Sequence, residues 1–269
     1  MDDPETRLIA QLGTSFLMYH ELEVPGRPLC RSDAGYLRYV VFVNAFREQL
    51  QRLRQLGLRG ISVGSALRFD DPHAVAITFD DGCESDLLVA APLLHDSGFN
   101  ATFYAVAGWI GKPGFLSRAQ LQELSDAGFE IGCHSMTHAY LSHLDDAGLQ
   151  KEIADAKVCL EQLIGKPVTH FSCPGGRLSR NAARVAKQAR FASVATSTLV
   201  RNNPASDRFR LGRLVVMRRT ALDSFERLCR DDKLLRGLRY REYVKSLAKV
   251  VLGYSAYDQI RDKLLARPH

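Results

Sequence analysis

No apolar run in this chain approaches the roughly 20 residues needed to cross a bilayer, so a membrane-spanning helix is excluded. The start, Met1 to Arg7, is acidic and no long apolar core follows it, the wrong polarity for a secretory signal. Taken as the native start, it places the protein in the cytoplasm. The six cysteines (Cys30, Cys83, Cys133, Cys159, Cys173 and Cys229) contain no C-x-x-C pair. A disulfide framework is therefore not expected, and the thiols read as reduced, buried packing groups. Cys83, Cys133 and Cys173 nevertheless flank chemically suggestive stretches, which brings a Cys-His metal site into consideration. There is no internal repeat, no low-complexity segment and no nucleic-acid-binding signature.

What is present is ordinary globular composition: 269 residues, 46% hydrophobic and 25% charged, enough for one large core. The net charge of +6 is uneven. From Asp207 onward sixteen Lys/Arg face eight Asp/Glu, leaving residues 1–206 at net −2. Beyond Asp231, Tyr240, Tyr243, Val244, Leu247 and Val251 recur at helical spacing among basic residues, and Ile260, Leu264 and Leu265 mark a second amphipathic piece. Residues 231–269 are thus expected to form a basic helical extension that packs on the main body, with peripheral contact to an anionic membrane as a further partner. Residues 1–230 form the main domain.

Short apolar, β-branched or aromatic runs fall near residues 16, 76, 103, 130, 169, 193 and 213. Helical or loop segments separate them, with a capping box at Ser117-x-x-Gln120, a stop at Gly165-Lys166-Pro167 and Asn181 as a further cap. Seven strands alternating with helices predict an α/β fold with a parallel sheet.

The polar residues collect at strand ends. Ala74-Val75-Ala76-Ile77-Thr78-Phe79 reads as a strand buried on both faces that runs into Asp80-Asp81-Gly82. Adjacent carboxylates at a buried strand end raise each other's pKa unless a cation takes one. Downstream, His134-Ser135-Met136-Thr137-His138 follows another strand; two His four apart on one helical turn can meet one ion, and an Asp can complete a three-ligand site with open positions.

These two stretches resemble the motifs T-F-D-D-G and H-S-x-x-H of the polysaccharide deacetylases of carbohydrate esterase family 4. The resemblance extends over roughly residues 14–220. It implies a distorted seven-stranded (β/α) barrel and a divalent metal, zinc first, with cobalt, nickel, iron and manganese also compatible. It implies Asp80 as general base, and Asp81, His134 and His138 as ligands. The third motif, roughly R-x-P-x-G, matches Ser172-Cys173-Pro174-Gly175-Gly176, which assigns the oxyanion donor to the Gly175 N–H. Tyr104, Pro174 and Arg177 are the expected substrate contacts, and an N-acetylated sugar or polysaccharide the expected substrate; no nucleic-acid partner is expected.

The chain departs from that pattern in two places. The motif arginine that orients the catalytic Asp falls at Ser172, leaving Arg177 and Arg213 as candidates. The late motifs, including the acid His, are missing: after His170 the only histidine is His269. Met18-Tyr19-His20 resembles the early Tyr-His of permuted exopolysaccharide deacetylases, which points to His20 as general acid. Glycan O-deacetylation, cyclic-amide hydrolysis and a non-catalytic carbohydrate-binding role are the competing readings.

Overall fold

The apolar run at Ala74 becomes an eight-residue strand buried throughout, and the sheet is assembled around it. The computed structural model describes residues 13–231 together with Leu235 and Gly237. Its strands are β1 (Ser15–Tyr19), β2 (Leu22–Glu23), β3 (Val41–Phe42), β4 (Arg59–Ile61), β5 (Ala74–Asp81), β6 (Thr102–Ala105), β7 (Glu130–Cys133), β8 (His170–Ser172), β9 (Ser193–Ala195) and β10 (Leu214–Val215). The main sheet runs β10-β1-β5-β6-β7-β8-β9, parallel throughout, and these are the seven strands expected from sequence. The short β4 pairs with the first half of β5, below the point where β6 begins to pair. Leu211 bridges to Ala195 while Leu214 and Val215 pair with Leu17 and Met18. The segment 211–215 thus lies between the last and first strands and curls the sheet into a distorted (β/α) barrel. A separate two-stranded ladder joins β2 to β3.

Alternation along the strands sorts side chains into two layers. Tyr19, Phe79 and Phe103 stand side by side on β1, β5 and β6, with ring centroids 5.2 and 5.0 Å apart, and face outward. Phe46, on the helix Val43–Gln55, meets Tyr19 and Phe79 edge-on, which is why the apolar stripe of that helix is needed. Phe16, Ala76, Ala195 and Leu211 point inward, where Val63 plugs the barrel. The Ser117 capping box forms and Gly165 ends its helix in the left-handed conformation, as expected. The cap at the next helix differs: Ser179 caps Arg180–Gln188 by accepting from Ala182 N, and Asn181 lies inside the first turn. The sequence offers both residues, and the strand-to-helix turn brings Ser179 into the extended conformation a cap requires.

The chain divides into two compact units, Met1–Cys229 and Arg230–His269. The basic amphipathic extension expected over 231–269, with its membrane contact, lies outside the described residues apart from Asp231, Leu235 and Gly237. Among the described residues no helix is long and apolar enough to cross a membrane.

Candidate active site

Strand β5 delivers two carboxylates to two different environments by changing its backbone at one residue. Asp80 keeps the strand's alternation and points into the barrel, level with Tyr104 across the β5–β6 ladder. Asp81 adopts φ 83°, a conformation that costs a non-glycine residue on the order of 1–3 kcal/mol. Gly82 follows at φ 76°, and a Cβ there would lie 3.2 Å from Ala105. The twist turns the Asp81 carboxylate away from Asp80 and towards the histidines.

Those histidines do not sit on a helical turn, contrary to the expectation from their spacing. His134 and His138 flank an irregular loop in which Ser135 (φ 69°) and His138 (φ 64°) are left-handed. The loop is held by backbone bonds from Ala107 N and Gly108 N to the carbonyls of Ser135 and Met136, at 3.0 and 2.9 Å. Glu152 clamps it from the other side: its carboxylate accepts from Met136 N, Thr137 N and Thr137 Oγ1. Ser135 Oγ accepts from His138 N, closing the loop on itself. Helical spacing would have aligned the rings side by side; the loop instead sets them edge to face, 5.0 Å apart. Trp109 stacks on the outer face of His138 at 5.3 Å.

The three donors converge. The ligand atoms of Asp81, His134 and His138 lie within 4.8 Å of one another. His134 Nε2 and His138 Nε2 are 3.6 and 3.5 Å from Asp81 Oδ1. His134 Nδ1 lies 2.8 Å from the Ser172 carbonyl oxygen and can only donate to it, which leaves the Nε2 lone pair facing the site. Asp81 Oδ1 is buried without a hydrogen-bond partner among the described residues. An orphaned carboxylate oxygen and a fixed imidazole lone pair, beside a second imidazole 28% exposed, fit a divalent cation with an open side. Burial and the neighbouring Asp80 push the Asp81 carboxyl up to about 6, and burial lowers His134 to about 3 and depresses His138. The pocket disfavours protons on the imidazoles, as a metal site should.

Asp80 is handled differently. Burial alone would raise its pKa, but the Arg213 guanidinium, followed by His134, holds it well below the usual carboxylate range. Arg213 grips Asp80 with both ends of its fork, Nη1 to Oδ1 at 2.7 Å and Nη2 to Oδ2 at 2.8 Å. Its remaining donors go to Thr78 Oγ1, Ser172 Oγ and the Thr196 carbonyl. All five N–H groups are thus used by a side chain that is wholly buried. Of the two arginines that could stand in for the one missing at Ser172, Arg213 is beside Asp80. Arg177 is exposed on the rim, its guanidinium 5.9 Å from the ring of Tyr140. Ser172 fills the vacated place with a hydroxyl that accepts from Arg213 and lies 3.4 Å from Asp80.

The other expected site residues are placed unequally. His20 follows β1 on the same face and is half-buried, its ring 4.9 Å from that of Tyr39 and its Nδ1 without a partner among the described residues. It is near enough for its charge to act on both Asp80 and Asp81. Pro174 and Gly175 form the turn after β8; Pro174 is buried, whereas Gly175 is exposed at φ 63°. A Cβ at Gly175 would lie 2.6 Å from the ring of exposed Tyr140, so this position needs glycine for both reasons. Tyr104 is a correction. It is wholly buried, its ring over Gly132 inside the barrel and 5.6 Å below the Arg213 guanidinium, and has no surface to offer a substrate. An inward strand position beneath the mouth, not at it, is the reason. Burial pushes the thiols of Cys133 and Cys173 up to about 12, so they are neutral packing groups. Glu152 and Trp109 carry no motif signal of their own; only the fold brings them to the His loop.

A buried carboxylate gripped by an arginine, beside three side chains that could hold a cation, lies at the C-terminal ends of the strands, where parallel barrels place their active sites. Residues 69–194 match the family model described as polysaccharide deacetylase, and through this segment the chain is similar to that family. It is 32% identical over 121 residues to the peptidoglycan-N-acetylglucosamine deacetylase of Bacillus cereus, covering 45% of this chain and 54% of that protein. Its matches to the first two curated relatives span only 41% and 54% of their length. Among solved structures, the Streptococcus pyogenes deacetylase PplD in complex with acetate superposes with a TM-score of 0.71 at 21% identity, covering 81% of this chain and 98% of that one. IcaB from Ammonifex degensii gives 0.67 at 24% identity, over 81% and 95%. At these identities the two structures establish the shared fold.

Proposed function

We propose that the chain is a metal-dependent deacetylase that hydrolyses the N-acetyl group of an N-acetylated sugar or polysaccharide. The observation that carries this reading is the pairing of Asp81, His134 and His138, a donor set fit for a cation, with an ionised Asp80 held 3.7 Å from His134 Nε2. A divalent ion bound there would polarise the acetyl carbonyl and acidify water. Asp80 accepts the proton of the attacking water. Because Arg213 keeps Asp80 charged and points both carboxylate oxygens along a fixed line, the base is oriented before substrate arrives. The Gly175 backbone N–H, in the exposed turn after β8, serves as a donor for the developing oxyanion. His20, at the end of the neighbouring strand β1, donates the proton that an amine requires to leave. Tyr140 and Arg177 form a rim on which a sugar ring can stack.

The test is incubation of the metal-loaded full chain with an N-acetylated oligosaccharide, read by mass spectrometry for loss of acetyl and by release of acetate. Loss of acetyl from the sugar nitrogen, abolished by Asp80→Asn, is the expected result. Release of acetate only from O-acetylated glycans would move the activity to ester hydrolysis. Sugar binding without any acetate release, by protein carrying its metal, would leave only a binding role.

A further inference from the structure

A second group of potential ligands lies on the same face of the barrel and takes no part in the chemistry above. Glu21 follows β1, Cys83 follows β5 two residues beyond Asp81, and Cys30 sits in the loop between β2 and β3. Their ligand atoms all lie within 4.8 Å of one another. Glu21 and Cys83 are fully buried and Cys30 is half-buried.

The group is built. Glu21 accepts from Cys30 N at 3.0 and 3.1 Å and from the Tyr36 hydroxyl at 2.9 Å. The same hydroxyl is 3.3 Å from Cys83 Sγ. Cys30 Sγ is 2.8 Å from the Gly114 carbonyl, and a Cβ at Gly114 would crowd it at 3.2 Å, so glycine makes room for the thiol. Leu22 N donates to Ser85 Oγ, tying the segment after β1 to the one after β5, and Asp86 N closes a turn on the Cys83 carbonyl.

Charge is out of balance here. Arg27 lies 3.6 Å from Glu21 and divides its fork with Glu84. Asp86 opens the helical segment just after Cys83, is wholly buried, and neither of its oxygens has a hydrogen-bond partner among the described residues. Burial and then the charges of Cys30, Asp81 and Glu21 push its carboxyl upward, which places it in their electrostatic reach. Burial favours the neutral acid at Asp86, so the pocket's unpaired polar atoms mark it as short of partners, and burying such groups unsatisfied is costly.

We propose that Glu21, Cys30 and Cys83 form a second divalent metal site, selective for a thiophilic ion such as zinc and structural in role. Two thiolates and a carboxylate favour zinc over magnesium, calcium or manganese. Coordination sends both thiol protons to solvent and breaks the Cys30 contact to the Gly114 carbonyl. The ion then ties the loop bearing Cys30 and Arg31 to the strand ends beside Asp81, whose carboxyl feels the Arg31 charge. This inference does not depend on the deacetylase reading.

The experiment is a cobalt(II) titration of the reduced, metal-stripped full chain. Sulfur-to-cobalt charge transfer in the near ultraviolet reports thiolate ligation, which the Asp81–His134–His138 set cannot produce. We expect two ions per chain, one of them with that band. The band survives in the His134→Ala/His138→Ala double variant, which loses the other ion. It disappears in Cys30→Ser and in Cys83→Ser, each of which keeps one ion. Should a serine variant fail to fold by circular dichroism, wild-type protein is alkylated with and without zinc, and protection of Cys30 and Cys83 together is the expected result. The proposal is overturned by a folded, reduced wild type that binds cobalt without the band, by a band that persists in the serine variants, by equal alkylation with and without zinc, or by a native Cys30–Cys83 disulfide in non-reducing mass spectrometry.

Discussion

Replacing Arg213 by methionine removes the guanidinium and keeps most of the side-chain volume. In the native barrel this group donates five hydrogen bonds, two of them to Asp80 at 2.7 and 2.8 Å. After the change, Asp80 keeps only the Ser172 hydroxyl at 3.4 Å in a wholly buried site. Removing one partner of a buried ion pair costs about 3–5 kcal/mol. For a protein of this size that lowers Tm by roughly 6–20 °C. The loss depends on pH in a definite direction. In wild type the folded pKa of Asp80 is depressed, so the pair's contribution is complete above the unfolded carboxylate value of about 4 and is lost as pH falls further. In the variant, burial dominates and the folded pKa rises above the unfolded value. Asp80 then takes a proton on folding, and the variant loses stability as pH rises through this range. Urea denaturation of metal-free protein should therefore show a larger deficit at pH 8 than at pH 5. The Asp80→Asn/Arg213→Met double variant, with neither charge buried, should recover part of the loss, giving a coupling of about 2–3 kcal/mol. Single losses that add to within about 0.5 kcal/mol in the double variant, or a deficit independent of pH, would refute the argument.

Four further outcomes are expected. Asp80→Asn, nearly isosteric but unable to accept the proton, should lower kcat by about 10²–10⁴ while metal content stays constant; a parallel loss of metal by elemental analysis would make Asp80 a ligand. Alanine at His134 and His138 together should remove the ion bound with Asp81, and retained occupancy in that variant, once the thiolate-bound ion is accounted for, would place the site elsewhere. Because the metal-free Asp81 carboxyl stands at about 6, metal affinity measured by competition with a chelator should fall as pH drops below that value and level off above it; an affinity flat from pH 5 to 7 would contradict the assignment. His20→Ala should slow amide cleavage far more than cleavage of an activated aryl acetate, whose leaving group departs without a proton; equal losses on both would reduce His20 to a binding or structural role.

Local chemistry determined much of this protein directly. The run at Ala74–Phe79 must be a buried strand because its apolar residues satisfy both faces, and its six counterparts could be counted the same way. The Ser117–Gln120 box and the Gly165 stop are decided within one helical turn, so they form as the sequence indicates. The carboxylate and histidine types at strand ends already singled out the residues that the fold brings together at the mouth. Tertiary structure decided whatever depends on residues far apart in the chain. Arg213 reaches Asp80 across 133 positions because β10 pairs with β1, which in turn pairs with β5. No spacing rule could prefer it to Arg177, which is nearer the motif but points to solvent. The His134–His138 pair looks helical by spacing, yet Glu152 and the 107–108 backbone impose two left-handed residues instead. Tyr104 was legible as a strand residue near the mouth, but its depth is set by the register with Asp80 and Gly132. The grouping of Glu21, Cys30 and Cys83 has no sequence pattern at all. Strand ends that are neighbours in a parallel barrel are separated in sequence by whole helices, and only the pairing of their strands makes them one surface.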